Sequence, residues 1–249
     1  MALKTRLRQL PGFTMIEMLV VVVIIAILMT LAVNGLNNMG GNPVTAGVAT
    51  AESMFDEARS TATGKGIRAA VLVAKDLEND SSKDRRQILV VHEKTHPAGH
   101  TEAGRPVTGP DEDPEWVLTS RGVTLPNQVF FSETYSKTVD DGALEEVDGS
   151  KIYRSNEESS SLAGNSPFIG EYYVYEFNAE GLCTTPGVKF VIGAGARQLS
   201  QPATSQPPKV RSGSDRDFGG FVVWRNGRTS VFRAPSQISE NFPGPGGEF

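Results

Sequence analysis

Three sets of residues in this chain are of types that carry chemistry, and their spacing sorts them. The first is Glu17, a carboxylate inside a run from Phe13 to Val33 whose other polar members are only Thr14 and Thr30. An acid near bilayer depth costs free energy unless it is shallow or paired, so such a residue is functional by default. Five residues earlier stands Gly12, where a basic segment with Lys4, Arg6 and Arg8 gives way to the apolar run. A cut after Gly12 would create an α-ammonium at Phe13. Added to the partial positive charge of a helix N-terminus, that amine on a neighbouring copy is a partner for Glu17.

The second set is His92, His96 and His100, spaced by four. On a helix this spacing would give one metal-binding face. Pro97 and Gly99 lie between the last two, so a helix is not expected, and no firm carboxylate or thiolate partner is apparent. They read as surface-loop histidines; no metal ligand and no cofactor is assigned. The third set is the acidic, glycine-punctuated stretch with Asp140, Asp141, Glu145, Glu146 and Asp148. Oxygen-rich loops can hold calcium, but the spacing does not fit an EF-hand, and a solvated loop is the expectation. Cys183 stands alone, so no intramolecular disulfide forms, and no basic neighbour activates it. No GxSxG, P-loop or dinucleotide fingerprint occurs, and no catalytic residue is expected.

The elements that position these groups follow from periodicity. Phe13 to Val33 spans roughly 31 Å as a helix at ~1.5 Å per residue, enough for a hydrocarbon core of about 30 Å. The positive charge lies on its N-terminal flank, and no charged residue follows until Glu52, which puts residues 1–12 in the cytoplasm and the rest outside. A cleaved secretory signal would have a shorter apolar run and a small-x-small site after it; Asn34-Gly35 is a poor substitute. The glycines of residues 34–43 predict a kink or break. Asn42 then fits an N-cap with Pro43 at the first helical position. Val48, Ala51, Phe55, Ala58 and Ala62 make a helical stripe for packing on a sheet, ending near Gly64 and Gly66.

Beyond residue 67 the chain reads as β-rich, with strands expected at Ala69–Ala74, Gln87–His92, Trp116–Thr119, Gln128–Ser132, Tyr172–Phe177, Val188–Ile192, Gly220–Trp224 and Thr229–Arg233. Asn226-Gly227 between two apolar runs predicts a type I′ hairpin. Long loops are expected around 93–114, 133–170 and 194–218. The order, helix then antiparallel strands, is α+β.

Gly12-Phe13-Thr14-Met15-Ile16-Glu17, followed by the unbroken span, closely resembles the type III signal of type IV prepilins and type II secretion pseudopilins. The resemblance implies cleavage by prepilin peptidase between Gly12 and Phe13, N-methylation of Phe13, and a role for Glu17 in subunit assembly. It divides the chain into a leader (1–12), a transmembrane assembly helix (13–34), a kinked linker and amphipathic helix (35–66) and an extracytoplasmic β domain (67–249). The implied location is the bacterial inner membrane, single-pass, with the domain in the periplasm or outside after assembly. The implied partners are prepilin peptidase, other pilins or pseudopilins, and secreted cargo.

Phe55–Ala62, Thr124-Leu125-Pro126, Tyr175–Gly181 and Val222–Val231 further resemble minor pseudopilins of the GspH/FimT type, whose fold is a long helix against small β-sheets. The prepilin-like proteins of the Verru_Chthon cassettes are a related class. Some FimT-like minor pilins bind DNA through a GRxR-type motif. Here Gly227-Arg228-Thr229-Ser230 keeps the first arginine and loses the second, so nucleic acid is not expected as a partner. Charge is nevertheless partitioned. Residues 133–180 are strongly acidic, whereas Arg197, Lys209, Arg211, Arg216, Arg225, Arg228 and Arg233 face only Asp215 and Asp217 over 194–233. Complementary surfaces between stacked subunits account for that partition.

Overall fold

The computed structural model describes residues 15–16, 18–25, 42–109, 112–138, 142–156, 168–197, 208–210 and 218–239. It divides into two units, residues 1–41 and 42–249. In the first, residues 15–16 and 18–25 are helical. Gly12, Phe13 and Glu17, the expected break at 34–41, and the remainder of the 13–33 span lie outside the described residues.

The second unit opens on α1 (Pro43–Lys65), which begins and ends as its sequence dictates. Asn42 Oδ1 accepts from Val44 N at 3.1 Å, Pro43 sits where a backbone N–H would be orphaned anyway, and Gly66 closes the helix with φ 66°. The expected stripe is buried in full, together with Val44 and Gly47.

Two sheets follow. The first joins β1 (Ala69–Leu77), β2 (Gln87–Glu93), β3 (Trp116–Leu118), β4 (Val123–Thr124), β6 (Glu146–Asp148), β7 (Ile152–Tyr153) and β8 (Gly170–Phe177) in the order β6-β8-β1-β2-β3-β7, with β4 also on β2. Every pairing is antiparallel except β3 with β7. The second joins β5 (Val129–Phe131), β9 (Val188–Ala196), β10 (Lys209–Val210), β11 (Phe218–Val223) and β12 (Thr229–Val231) in the order β10-β9-β11-β12, with β5 also on β9.

Strand parity builds the core. From β1, Ala69, Val71 and Val73 face the same cluster as the α1 stripe, while Ala70, Leu72 and Ala74 join a second cluster with Trp116, Ile152 and Tyr172. β2 and β8 divide in the same way, so the first sheet is buried on both faces, which is why these strands read as continuous apolar runs. Phe55 is the keystone of the main cluster. Its ring meets Tyr175 at 5.0 Å, Phe190 at 5.5 Å and Phe221 at 4.9 Å, tying α1 to both sheets with edge-on aromatic geometry.

All eight expected strands are present, and four short ones are added. β6 and β7, with a 3₁₀ turn at Gly149–Lys151 between them, lie inside the expected 133–170 loop. The Asn226-Gly227 hairpin is not type I′. Gly227 alone takes a left-handed φ, 72°, and Asn226 does not. Gly227 N donates to Trp224 O at 2.8 Å and Trp224 N to Arg228 O at 2.9 Å, a three-residue loop closed by a glycine bulge.

Candidate functional site

In the first unit, the flanks of Glu17 present an unusual surface. Met15, Ile16, Met18, Leu19, four valines (20–23), Ile24 and Ile25 are helical and between 43% and 94% exposed. Burying one such side chain contributes about 1.5–3 kcal/mol. Ten of them left in water therefore forgo a sum on the order of 10 kcal/mol or more, which only lipid or other apolar helices would recover. Among the described residues, no helix is long and apolar enough to cross a membrane.

In the second unit, the polar clusters are mostly satisfied from within. Glu146 and Glu171 share Lys75 at 2.7 and 3.1 Å. Asp148 caps the 3₁₀ turn by accepting from Ser150 N at 2.8 Å, and that bond holds its carboxyl below the usual range. Lys151 reaches Asp113 at 2.9 Å. The described part of the acidic stretch is thus a sheet edge with its own cations, while Asp140 and Asp141 lie outside the described residues. Glu112, Asp113, Glu145, Glu146, Asp148 and Glu176 line an open groove of about 640 Å³. Burial raises Glu176, and Arg68 beside it pulls the other way.

The basic C-terminal set is not one surface. Arg197 is drawn inside: Nη2 donates to Asp84 O at 2.7 Å, Nη1 donates to Ser81 O, and the guanidinium lies 5.6 Å from the Phe130 ring centre. Asp84 Oδ2 faces Arg197 at 3.5 Å, an ion pair without hydrogen-bond geometry, while Oδ1 accepts from Leu77 N at 2.8 Å. Burial nonetheless pushes the Asp84 carboxyl up to about 6. Arg225, Arg228 and Arg233 are exposed near the last hairpin, and Arg211 and Arg216 lie outside the described residues. Cys183 is buried, and burial pushes its thiol up. A thiol held protonated in this way is a poor nucleophile.

The three histidines separate, although His92-Glu93-Lys94-Thr95-His96 has the HExxH spacing: that motif binds zinc from one face of a helix, whereas here His92 and Glu93 end strand β2. His92 is buried in β2, where Lys65 Nζ donates to Nε2 at 2.9 Å and Nδ1–H donates to Thr119 Oγ1 at 3.0 Å. Burial, with Lys65 adding to it, lowers its pKa to about 4, so the ring is neutral. His96 and His100 instead come together on the loop between β2 and β3. A Thr95–Pro106 bridge closes that loop, and His96 N to Arg105 O (2.9 Å) and Gly104 N to His96 O (3.1 Å) brace it. Their rings stack at 4.3 Å and 6°. Glu102, a carboxylate partner not expected from the sequence, brings Oε2 to 3.6 Å from His96 Nε2. The signal was there in His96-Pro97-Ala98-Gly99-His100-Thr101-Glu102: a proline-glycine turn folds the ends of this stretch together, as a helix would not.

Comparison with known proteins speaks to the N-terminal segment. Residues 11–33 match the family model of the prokaryotic N-terminal methylation motif, the type IV prepilin signal. In this segment the chain is prepilin-like. No curated protein sequence matches the chain. The crystal structure of the type IV minor pilin FimU of Pseudomonas aeruginosa aligns over 80% of this chain and 95% of its own, with 10% identity and a TM-score of 0.35.

Proposed function

We propose that this protein is a minor pilin-like or pseudopilin-like structural subunit of a type IV pilus or type II secretion assembly. The observation that carries the reading is the methylation motif over residues 11–33, with Glu17 as the one acid in its apolar run. Prepilin peptidase removes residues 1–12 and the new Phe13 amine is methylated. The helix from Phe13 to Val33 holds the subunit in the inner membrane, with the domain on the periplasmic side, until assembly transfers it to a fibre. There the apolar side chains on either side of Glu17 exchange lipid for neighbouring helices. Glu17 pairs with the Phe13 amine of the next copy, setting the register that non-directional apolar packing does not.

The work is mechanical, and the domain supplies surfaces rather than catalysis. Glu17→Ala tests the reading. Processing and domain folding are expected to persist, while incorporation into fibres, measured by the fraction of subunit in sheared fibre preparations, falls at least tenfold (about 1.4 kcal/mol per decade). A variant that assembles like the wild type overturns it.

A further inference from the structure

The loop joining β2 to β3 holds three side chains of metal-binding type in one place. His96, His100 and Glu102 each offer a ligand atom within 4.8 Å of the other two. The backbone that carries them is braced at several points. Besides the Thr95–Pro106 bridge, His100 N donates to Pro97 O at 3.2 Å, Ala103 N to His100 O at 3.1 Å and Arg105 N to Glu102 O at 3.0 Å. Thr95 N is further tied to Asn156 Oδ1 at 3.0 Å. The turn is therefore fixed before any ion arrives, and only side chains need adjust.

We propose that this loop is a binding site for a divalent transition ion of the zinc class, held by His96, His100 and Glu102. Two imidazoles and one carboxylate make a borderline donor set that suits Zn²⁺ and leaves a fourth position open, whereas Ca²⁺ and Mg²⁺ require more oxygen ligands. Ligands 2.0–2.1 Å from a tetrahedral ion lie ~3.4 Å apart. The side chains close from up to 4.8 Å, and His100 and Glu102 are exposed.

Two competitors must be displaced. His100 Nδ1 accepts from Glu102 N at 3.2 Å, so the ion takes that lone pair, or takes Nε2 once the ring shifts its proton to Nδ1. Arg105 Nη1, 3.9 Å from Glu102 Oε1, gives up part of its hold on the carboxylate. The stacked rings tilt apart, because lone pairs in parallel ring planes do not converge. These costs set an affinity below that of a closed four-ligand site. The gain is a loop tip clamped between its two ends, which fixes one surface of the domain. This site is independent of the assembly reading.

The test uses the untagged full chain in detergent micelles slightly above neutral pH, titrated with Zn²⁺ by calorimetry and with Co²⁺ by visible absorption. One equivalent is expected, with the intense Co²⁺ bands of low coordination number. Zn²⁺ affinity should weaken at least about tenfold in His100→Ala and in Glu102→Gln, with Ca²⁺ giving no heat at the same concentrations. Both substituted positions are exposed, so unchanged metal-free thermal unfolding serves as the folding control. Absence of stoichiometric Zn²⁺ binding, or equal affinity in His100→Ala, overturns the proposal.

Discussion

At the scale of single residues, the interior of the domain carries opposed pH dependences. His92 has its pKa lowered to about 4, whereas the unfolded chain takes up that proton near 6.5. Its contribution to stability is complete above about 6.5 and is lost as the pH falls toward 4. Asp84 has the opposite sign. Its pKa is raised to about 6, so the folded state takes up a proton before the unfolded state does, and its contribution grows as the pH falls from about 6 toward the unfolded value. The two offset one another in the wild type. His92→Gln removes one side, and urea unfolding should then show the variant gaining about 2–3 kcal/mol relative to wild type between pH 7 and pH 4. Parallel stability curves would contradict this. In the core, Phe55→Ala empties the junction of α1 with both sheets and is expected to cost about 3–5 kcal/mol in the same assay.

At the scale of elements, what was legible in the sequence was what is locally determined. Asn42, Pro43 and the stripe from Val48 to Ala62 define α1 because caps and periodicity act within a few residues. The long strands β1, β2, β8 and β9 announce themselves by length and apolar content. The four added strands β4, β6, β7 and β10 do not, because each is two or three residues long and is defined by its partner. β6 exists by pairing Val147 with Tyr172, and β7 by lying parallel to β3 with Ile152 opposite Trp116. The Asn226-Gly227 pair marks the turn but not its type, because the loop closes over three residues, Arg225 to Gly227, and only Gly227 takes a positive φ. A Cβ there would meet Gly181 O at 2.3 Å. The histidine cluster is not legible from a spacing of four, which signals a metal face only on a helix, whereas here the Pro97-Gly99 turn brings His96 and His100 together. Two substitutions test the local devices. Asn42→Ala should cost about 1 kcal/mol through loss of the cap. Gly227→Ala should cost about 1–3 kcal/mol through its left-handed φ and the clash with Gly181. Thermal unfolding measures both, and a neutral Gly227→Ala would mean that the hairpin yields.

At the scale of the whole molecule, function divides along the chain. Part of the domain's described charge is committed to internal pairs, as Lys75 with Glu146 and Glu171 and Arg197 with Asp84 illustrate. The exposed arginines at the last hairpin are few, so the full chain should show only weak DNA affinity with a shallow salt dependence; tight, steeply salt-dependent binding would point to a nucleic-acid role instead. In the proposed assembly role, residues 11–33, which match the methylation motif, are the segment on which every later step depends. Mass spectrometry of the mature N-terminus is therefore the most direct test. The proposed assembly role predicts a chain that begins at Phe13 and carries one N-methyl group. A chain beginning at Met1, or one cut after residue 34, would contradict it.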